Sequence, residues 1–193
     1  MITGQRIRLR AWEREDLRLI WTWENDTEVM EFSSCSPERC VAFEKIERIF
    51  ENALTPGPGG PWSYIIETED RRAIGTTAYW LPNTRFTRSA EIGLYIGDRK
   101  AWGKGYGTDV IMTMAHMLFQ ELGFHRIALS YGSYNTRMAH LVESCGIPQE
   151  GVMREERFMH GRYYDTIRAG IVSRDFEVVY SAWIKRTGSQ VEV

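Results

Sequence analysis

Residues 90–111 read AEIGLYIGDRKAWGKGYGTDVI, and the parsing of this stretch decides the fold. It opens as a strand, AEIGLYIG, running to Gly97. Gly103, Gly105 and Gly107 then occupy alternate positions, with Lys104 between the first two. After Thr108 and Asp109 comes an apolar run, VIMTMAHMLF. Ile111, Met114, Ala115, Leu118 and Leu122 share one face of a helix predicted over 108–122. A strand that ends in glycines at a helix start is an anion-binding device. Successive backbone N–H groups converge there, and the helix dipole adds partial positive charge. Glycine is needed where a side chain would block the anion or where φ must be positive.

Four readings of the loop compete. A Walker loop encloses four residues between its glycines and follows Gly-Lys with Ser or Thr. Here Gly97 and Gly103 enclose five, and Lys104 is followed by Gly105. A dinucleotide fingerprint, GxGxxG, follows the first strand of a βαβ unit. Here Thr108 stands where its last glycine belongs, and strands without alternating helices precede the loop. The third reading is the pyrophosphate loop of an acyl-CoA enzyme, which needs a nearby sheet edge for an extended pantetheine arm. The fourth is a plain turn between strand and helix.

The order of the other elements bears on the choice. RIRLRAW, residues 6–12, alternates apolar and basic residues as a half-wet strand does. Leu17, Ile20 and Trp21 then fall at helical spacing behind an acidic start. Ser36 and Pro37 open a second helix as N-cap and first helical residue, with Phe43, Ile46, Phe50 and Leu54 as its stripe. TPGPGGP, residues 55–61, stops it. WSYIIET, AIGTTAYWL and AEIGLYIG come next without a helix between them, an antiparallel meander. Beyond the glycine loop and its helix lie a strand, RIALSYGS, and a short helix, NTRMAHLVESCG. The chain closes on a hairpin turning at His160-Gly161. The pattern is α+β: a mixed, mostly antiparallel sheet of about seven strands flanked by helices, in one domain spanning 1–193.

A net charge of −2 gives no reason to expect a nucleic-acid partner. No run reaches the length of a membrane span, and the N-terminus lacks the apolar core of a signal peptide. Cys35, Cys40 and Cys145 form no CxxC pair and are read as reduced thiols in a cytoplasmic protein. His116, His125, His140 and His160 have no ligand spacing, so no metal is expected.

The motifs together resemble the GNAT superfamily of N-acetyltransferases, in the branch of ribosomal-protein N-terminal acetyltransferases and spermidine N-acetyltransferases. The similarity rests on 90–111, on YNTRMAHLVESCGI and on EGVMREERFMHGRYYD, with RIRLRAWEREDL in support. The resemblance implies a GNAT-like sheet with a V-shaped opening for acetyl-CoA. It implies donor contacts from Trp102, Gly103, Lys104, Gly105, Tyr106, Gly107 and Thr108, with Trp102 standing where the family has Gln or Arg. Leu94 and Ile96 would pair with the pantetheine arm through their backbones. Asn135 would touch CoA, although its type and place also suit a helix N-cap.

Glu91 matches a general base of some members; the alternatives are a solvent-facing glutamate or one held by an arginine. The proton donors that relatives carry three and seven positions after the asparagine are here Met138 and Val142, which cannot donate. Tyr134 is the substitute acid, with Tyr131, Ser133 or water also open. Glu31, Phe32, Tyr163 and Tyr164 are candidates for the acceptor, a small amine or a peptide N-terminus. A homodimer is compatible with the resemblance. The implied activity is acetyl-CoA-dependent acetylation of a primary amine; the alternative is a non-catalytic acyl-CoA sensor of the same fold.

Overall fold

The computed structural model describes residues 1–33, 40–82 and 87–188. Its sheet is built from β1 (Ile2–Thr3), β2 (Ile7–Ala11), β3 (Trp62–Thr68), β4 (Ala73–Trp80), β5 (Ser89–Ile96), β6 (Arg126–Gly132), β7 (Gln149–Met159) and β8 (Arg162–Val172). The helices are α1 (Leu17–Glu24), α2 (Thr27–Phe32), α3 (Phe43–Leu54), α4 (Tyr106–His116), α5 (Thr136–Ser144) and α6 (Ser173–Thr187). Spatial strand order is β1-β2-β3-β4-β5-β6-β8-β7, and every pairing is antiparallel except β5 with β6. This is the expected α+β arrangement, with eight strands where about seven were expected. The extra one is the two-residue β1, too short to leave a periodic signal.

The parallel pair is the feature that makes a site. β5 and β6 pair only through Ser89–Arg126, Ala90–Ile127 and Glu91–Ala128. Beyond Glu91, β5 continues against β4 alone and β6 against β8 alone, so the sheet parts into a V. Alternation along β5 sends Ala90, Ile92, Leu94 and Ile96 to one face and Glu91 and Tyr95 to the other.

Each face carries its own apolar core. On one, α4, α5 and α6 cover Ile7, Leu9, Ile66, Ile74, Ile92, Ile127 and Leu129. On the other, α1 and α3 bring Leu17, Ile20, Trp23, Ile46 and Phe50 onto Ile65 and Tyr95.

Three elements depart from expectation. The helix predicted over 108–122 is α4 followed by a π-turn, Met117–Glu121, in which Leu122 N–H donates to the Met117 carbonyl at 3.1 Å. The wider turn rotates the residues after it. Ile111, Met114, Ala115 and Leu118 are therefore buried, whereas Leu122 is 44% exposed. α2, capped by the Asp26 carboxylate at Glu28 and Val29 N–H, was not anticipated. Neither was α6, whose Phe176, Tyr180 and Trp183 pack on the α4 face. The helix start expected at Ser36-Pro37 lies outside the described residues, as does Cys35; α3 begins at Phe43 behind Ala42.

Candidate active site

A cavity of about 710 Å³ opens where β5 leaves β6. Its wall combines Leu94, Tyr95 and Ile96 from β5, the loop from Ala101 to Thr108, Val29 and Phe32 from α2, and one side of α5. The glycine loop forms one end. Gly103 and Gly105 have φ of +70° and +83°, the left-handed region that a Cβ disfavours. A Cβ on Gly103 would meet nothing within 4 Å, so the backbone there faces open space. Gly107 serves differently: a Cβ would press on Leu141 at 3.2 Å, and its absence lets α4 lie close to α5. Thr108 Oγ1 sits 3.3 Å from Ser144 Oγ across the same contact.

The loop is braced from the far end of the sequence. Arg6 donates from Nη1 to the Lys104 carbonyl at 2.7 Å and lies over the Tyr106 ring. Asp109, buried in the first turn of α4, accepts from the backbone N–H of Gln5 at 3.0 Å and of Arg6 at 2.6 Å. Burial raises the Asp109 pKa, although these N–H donors oppose the shift. An acidic residue in a helix's first turn was the one local sign of this anchor.

Trp102 donates its indole N–H to the Ile96 carbonyl at 2.7 Å. That carbonyl, expected to face a pantetheine amide, already has an acceptor role inside the chain. Asn135 Oδ1 caps α5 at Met138 N–H (2.9 Å), while Nδ2 donates to the Phe32 carbonyl at 2.7 Å. Asn135 thus does what its alternative reading required, and it also joins α5 to α2 in the cavity wall.

The family with an acetyltransferase (GNAT) domain matches residues 6–147 of the chain. The chain belongs to this GNAT acetyltransferase family. Over 173 residues it is 28% identical to a spermidine N(1)-acetyltransferase of Vibrio cholerae, spanning 90% of this chain and 96% of that protein. A putative ribosomal N-acetyltransferase of Bacillus subtilis is 28% identical over 90 residues, 47% of this chain and 49% of that protein. Among solved structures, spermidine N-acetyltransferase from Vibrio cholerae in complex with CoA and spermine superposes with a TM-score of 0.79, covering 90% of this chain and 99% of that one at 28% identity. The GNAT assignment supports acetyl-CoA-dependent acetylation of an amine, and the donor suits the site found here: a glycine loop facing open space and a strand edge freed by the V beside a cavity.

The other expected residues of this GNAT chain divide into two groups. Glu91 lies at the apex of the V as the last residue of β5 paired with β6, and is outside the cavity wall. Its Oε1 accepts from Arg168 Nη1 at 2.9 Å, with the carboxylate side chain 18% exposed. Tyr134 also lies outside the wall. Its ring covers Gly132 so closely that no Cβ could fit there, and packs edge-on to Tyr164 at 5.1 Å. Burial raises the Tyr134 pKa, while Arg157 beside it pulls the other way. Glu31 stands near this pair, 3.9 Å from His160 Nε2 in the hairpin turn.

Glu31, Tyr134 and Tyr164 therefore come together, but Phe32 and Tyr163 do not join them. Phe32 turns into the cavity against Trp102, ring centroids 6.4 Å apart. Tyr163 takes the opposite face of β8 and packs on Phe158, both largely exposed. Of the positions expected to carry the acid in relatives, Met138 lines the cavity and Val142 is buried in the core. Arg137, Leu141 and Ser144 in the wall were missed by sequence reasoning, because attention in that helix went to Asn135 and to the proton-donor positions 138 and 142.

Proposed function

We propose that this GNAT protein acetylates a polyamine of the spermidine class, as one catalytic domain over 1–193 working in the cytoplasm. The observation that carries the reading is the acidic and aromatic cluster of Glu31, Tyr134 and Tyr164. A carboxylate among aromatic rings favours an extended cation. Likeness over 90% of the chain to an enzyme named for spermidine supports the same choice. The N–H groups of Gly103, Lys104, Gly105, Tyr106 and Gly107 hold the donor's phosphates, Leu94 offers the β5 edge to the pantetheine arm, and Asn135 and Thr108 complete the wall. Bound acetyl-CoA supplies an activated acyl carbon and a thiol leaving group.

The protein must make the amine neutral. At pH 7 an amine of pKa about 10.4 is uncharged in less than about one molecule in a thousand. Glu91 at the apex takes that proton, through water if the amine does not reach it, while Arg168 orients the carboxylate. Tyr134, a phenol that is protonated at pH 7 at its ordinary pKa of about 10, gives a proton to the departing sulfur. The non-catalytic sensor is the second reading, favoured by Met138 and Val142 at the positions where relatives keep a proton donor.

The deciding experiment measures free CoA released from acetyl-CoA with a thiol-reactive dye across spermidine, spermine, simple amines and N-terminal peptides. Release dependent on spermidine or spermine bears out the proposal. Release with peptides alone overturns the polyamine assignment. Saturable CoA binding with no release from any amine identifies the sensor.

A further inference from the structure

In the cavity wall, the Arg137 guanidinium stands in a corner between two aromatic rings. Its central carbon lies 4.1 Å from the Trp102 ring centroid and 4.3 Å from that of Phe32. Among the described residues it has neither a carboxylate partner nor a hydrogen bond. Ring contacts satisfy the face of a guanidinium and fix its plane, but leave the N–H donors at its edge unspent. Hydrogen bonds tie the corner to the rest of the fold. Trp102 is pinned by its hydrogen bond to Ile96, and Phe32 is tied by its carbonyl to Asn135, the cap of the helix that carries Arg137.

A cation held in position by three elements and given no anion by the described residues is a binding group. Trp102 directly precedes Gly103, so this cation stands beside the open N–H cradle. Trp102 adds no donor of its own, because its single N–H is used. We infer that Arg137 is the side-chain anchor for the donor's diphosphate, completing a cradle that backbone N–H groups alone would leave without a fixed positive charge. The inference rests on the acetyl-CoA reading of the cavity. It also gives Phe32 a definite task on the donor side, as half of the corner that orients the guanidinium.

Calorimetric titration of the full chain with CoA, 3′-dephospho-CoA and pantetheine tests this without turnover. Charge-assisted hydrogen bonds of the ordinary strength predict that Arg137→Gln weakens CoA by about tenfold or more. The same factor is expected for 3′-dephospho-CoA, and a change under about twofold for pantetheine, which has no diphosphate. Arg137→Lys keeps the charge without the planar fork and should fall between parent and Arg137→Gln. It also serves if the glutamine variant fails to fold. Added salt should narrow the gap between parent and variant.

Equal losses for CoA and pantetheine would make Arg137 a mere brace and overturn the inference. A loss that disappears with 3′-dephospho-CoA would move the contact to the 3′-phosphate, and unchanged CoA affinity would remove it altogether. If the parent itself does not bind CoA, the donor reading falls first and Arg137 with it.

Discussion

Gly105 is the residue at which backbone conformation and donor binding meet most directly. With a φ of +83° it is the N-cap of α4, and only Arg6 lies near the missing side chain. Valine there would be strained by roughly 1–2 kcal/mol or would reset the turn. Gly105→Val should therefore weaken CoA at least about tenfold by calorimetry, since the N–H groups act only as a converging set. Unchanged affinity would remove the loop from the donor site. Glu91 poses the opposite problem, because its surroundings are specific but do not name its role. The carboxylate is held by Arg168 at 2.9 Å, as a structural glutamate would be, and stands where the two strands part, as a base should. Glu91→Gln keeps an acceptor for Arg168 and loses the base. Turnover should fall by about a hundredfold, the ordinary size of a general-base effect, and most at low pH, where the amine is most protonated. A pH–rate profile that keeps the parent's shape and height would leave Glu91 with a structural role only.

At the scale of elements, the glycine loop is only as well placed as the turn that holds it. Asp109 joins the first turn of α4 to the turn between β1 and β2, and Arg6 carries that link on to the Lys104 carbonyl. Asp109→Ala leaves the N–H groups of Gln5 and Arg6 without their acceptor, at about 1–3 kcal/mol for each that stays buried. The urea midpoint should fall accordingly, and CoA affinity should fall with it because the brace goes slack. A midpoint equal to the parent's would show that water replaces the carboxylate. Regular elements disclose themselves in the sequence far better than such links do. β2 and β6 were legible within a residue or two because they alternate against a buried face, and β3, β4 and β5 because short β-branched and aromatic runs stand between turn residues without a helix among them. Leu122 was misplaced because helical spacing assumes a constant turn, and nothing in MLFQE announces an i→i+5 step. α6 was overlooked although Phe176, Tyr180 and Trp183 have helical spacing; the hairpin before it looked like a natural end. The site divides in the same way. Its glycines lie within five residues of one another and could be read, whereas the corner of Phe32, Trp102 and Arg137 joins positions far apart in sequence. Tyr163 and Tyr164 show the limit clearly: a strand's period says that they face opposite ways, but only the packing of Tyr134 says which one faces the cluster.

The molecule as a whole is a sheet sealed on both faces, and its response to alkali depends on the groups sealed inside. Cys145, the C-cap of α5, is 1% exposed, and burial pushes its thiol from 9.0 up to about 12. Tyr79, stacked on Trp62, is raised by burial from 10.0 to about 12. Both groups hold their protons in the folded state at a pH where the unfolded chain has released them. For a group whose folded pKa is raised, the stabilisation is complete below the unfolded pKa and is lost as pH climbs to the folded one. Stability should therefore decline from about pH 9 toward pH 12, at most by roughly 1.4 kcal/mol per pH unit for each group. Cys145 acts first and alone between pH 9 and 10, and Tyr79 joins it above pH 10. Urea unfolding at pH 8, 9, 10 and 11 measures the decline. Cys145→Ala should flatten the first segment and Tyr79→Phe only the later one, so the two contributions separate by where the slope changes. Each substitution also has its own pH-independent cost, which shifts the whole curve without changing its slope. A parent curve already flat between pH 9 and 10, or an identical slope in Cys145→Ala, would mean that the thiol reaches water without unfolding. The seal that α5 makes over the sheet beside the donor cavity would then open in the native state, and Arg137 and Asn135, which lie on that seal, could not be held as described.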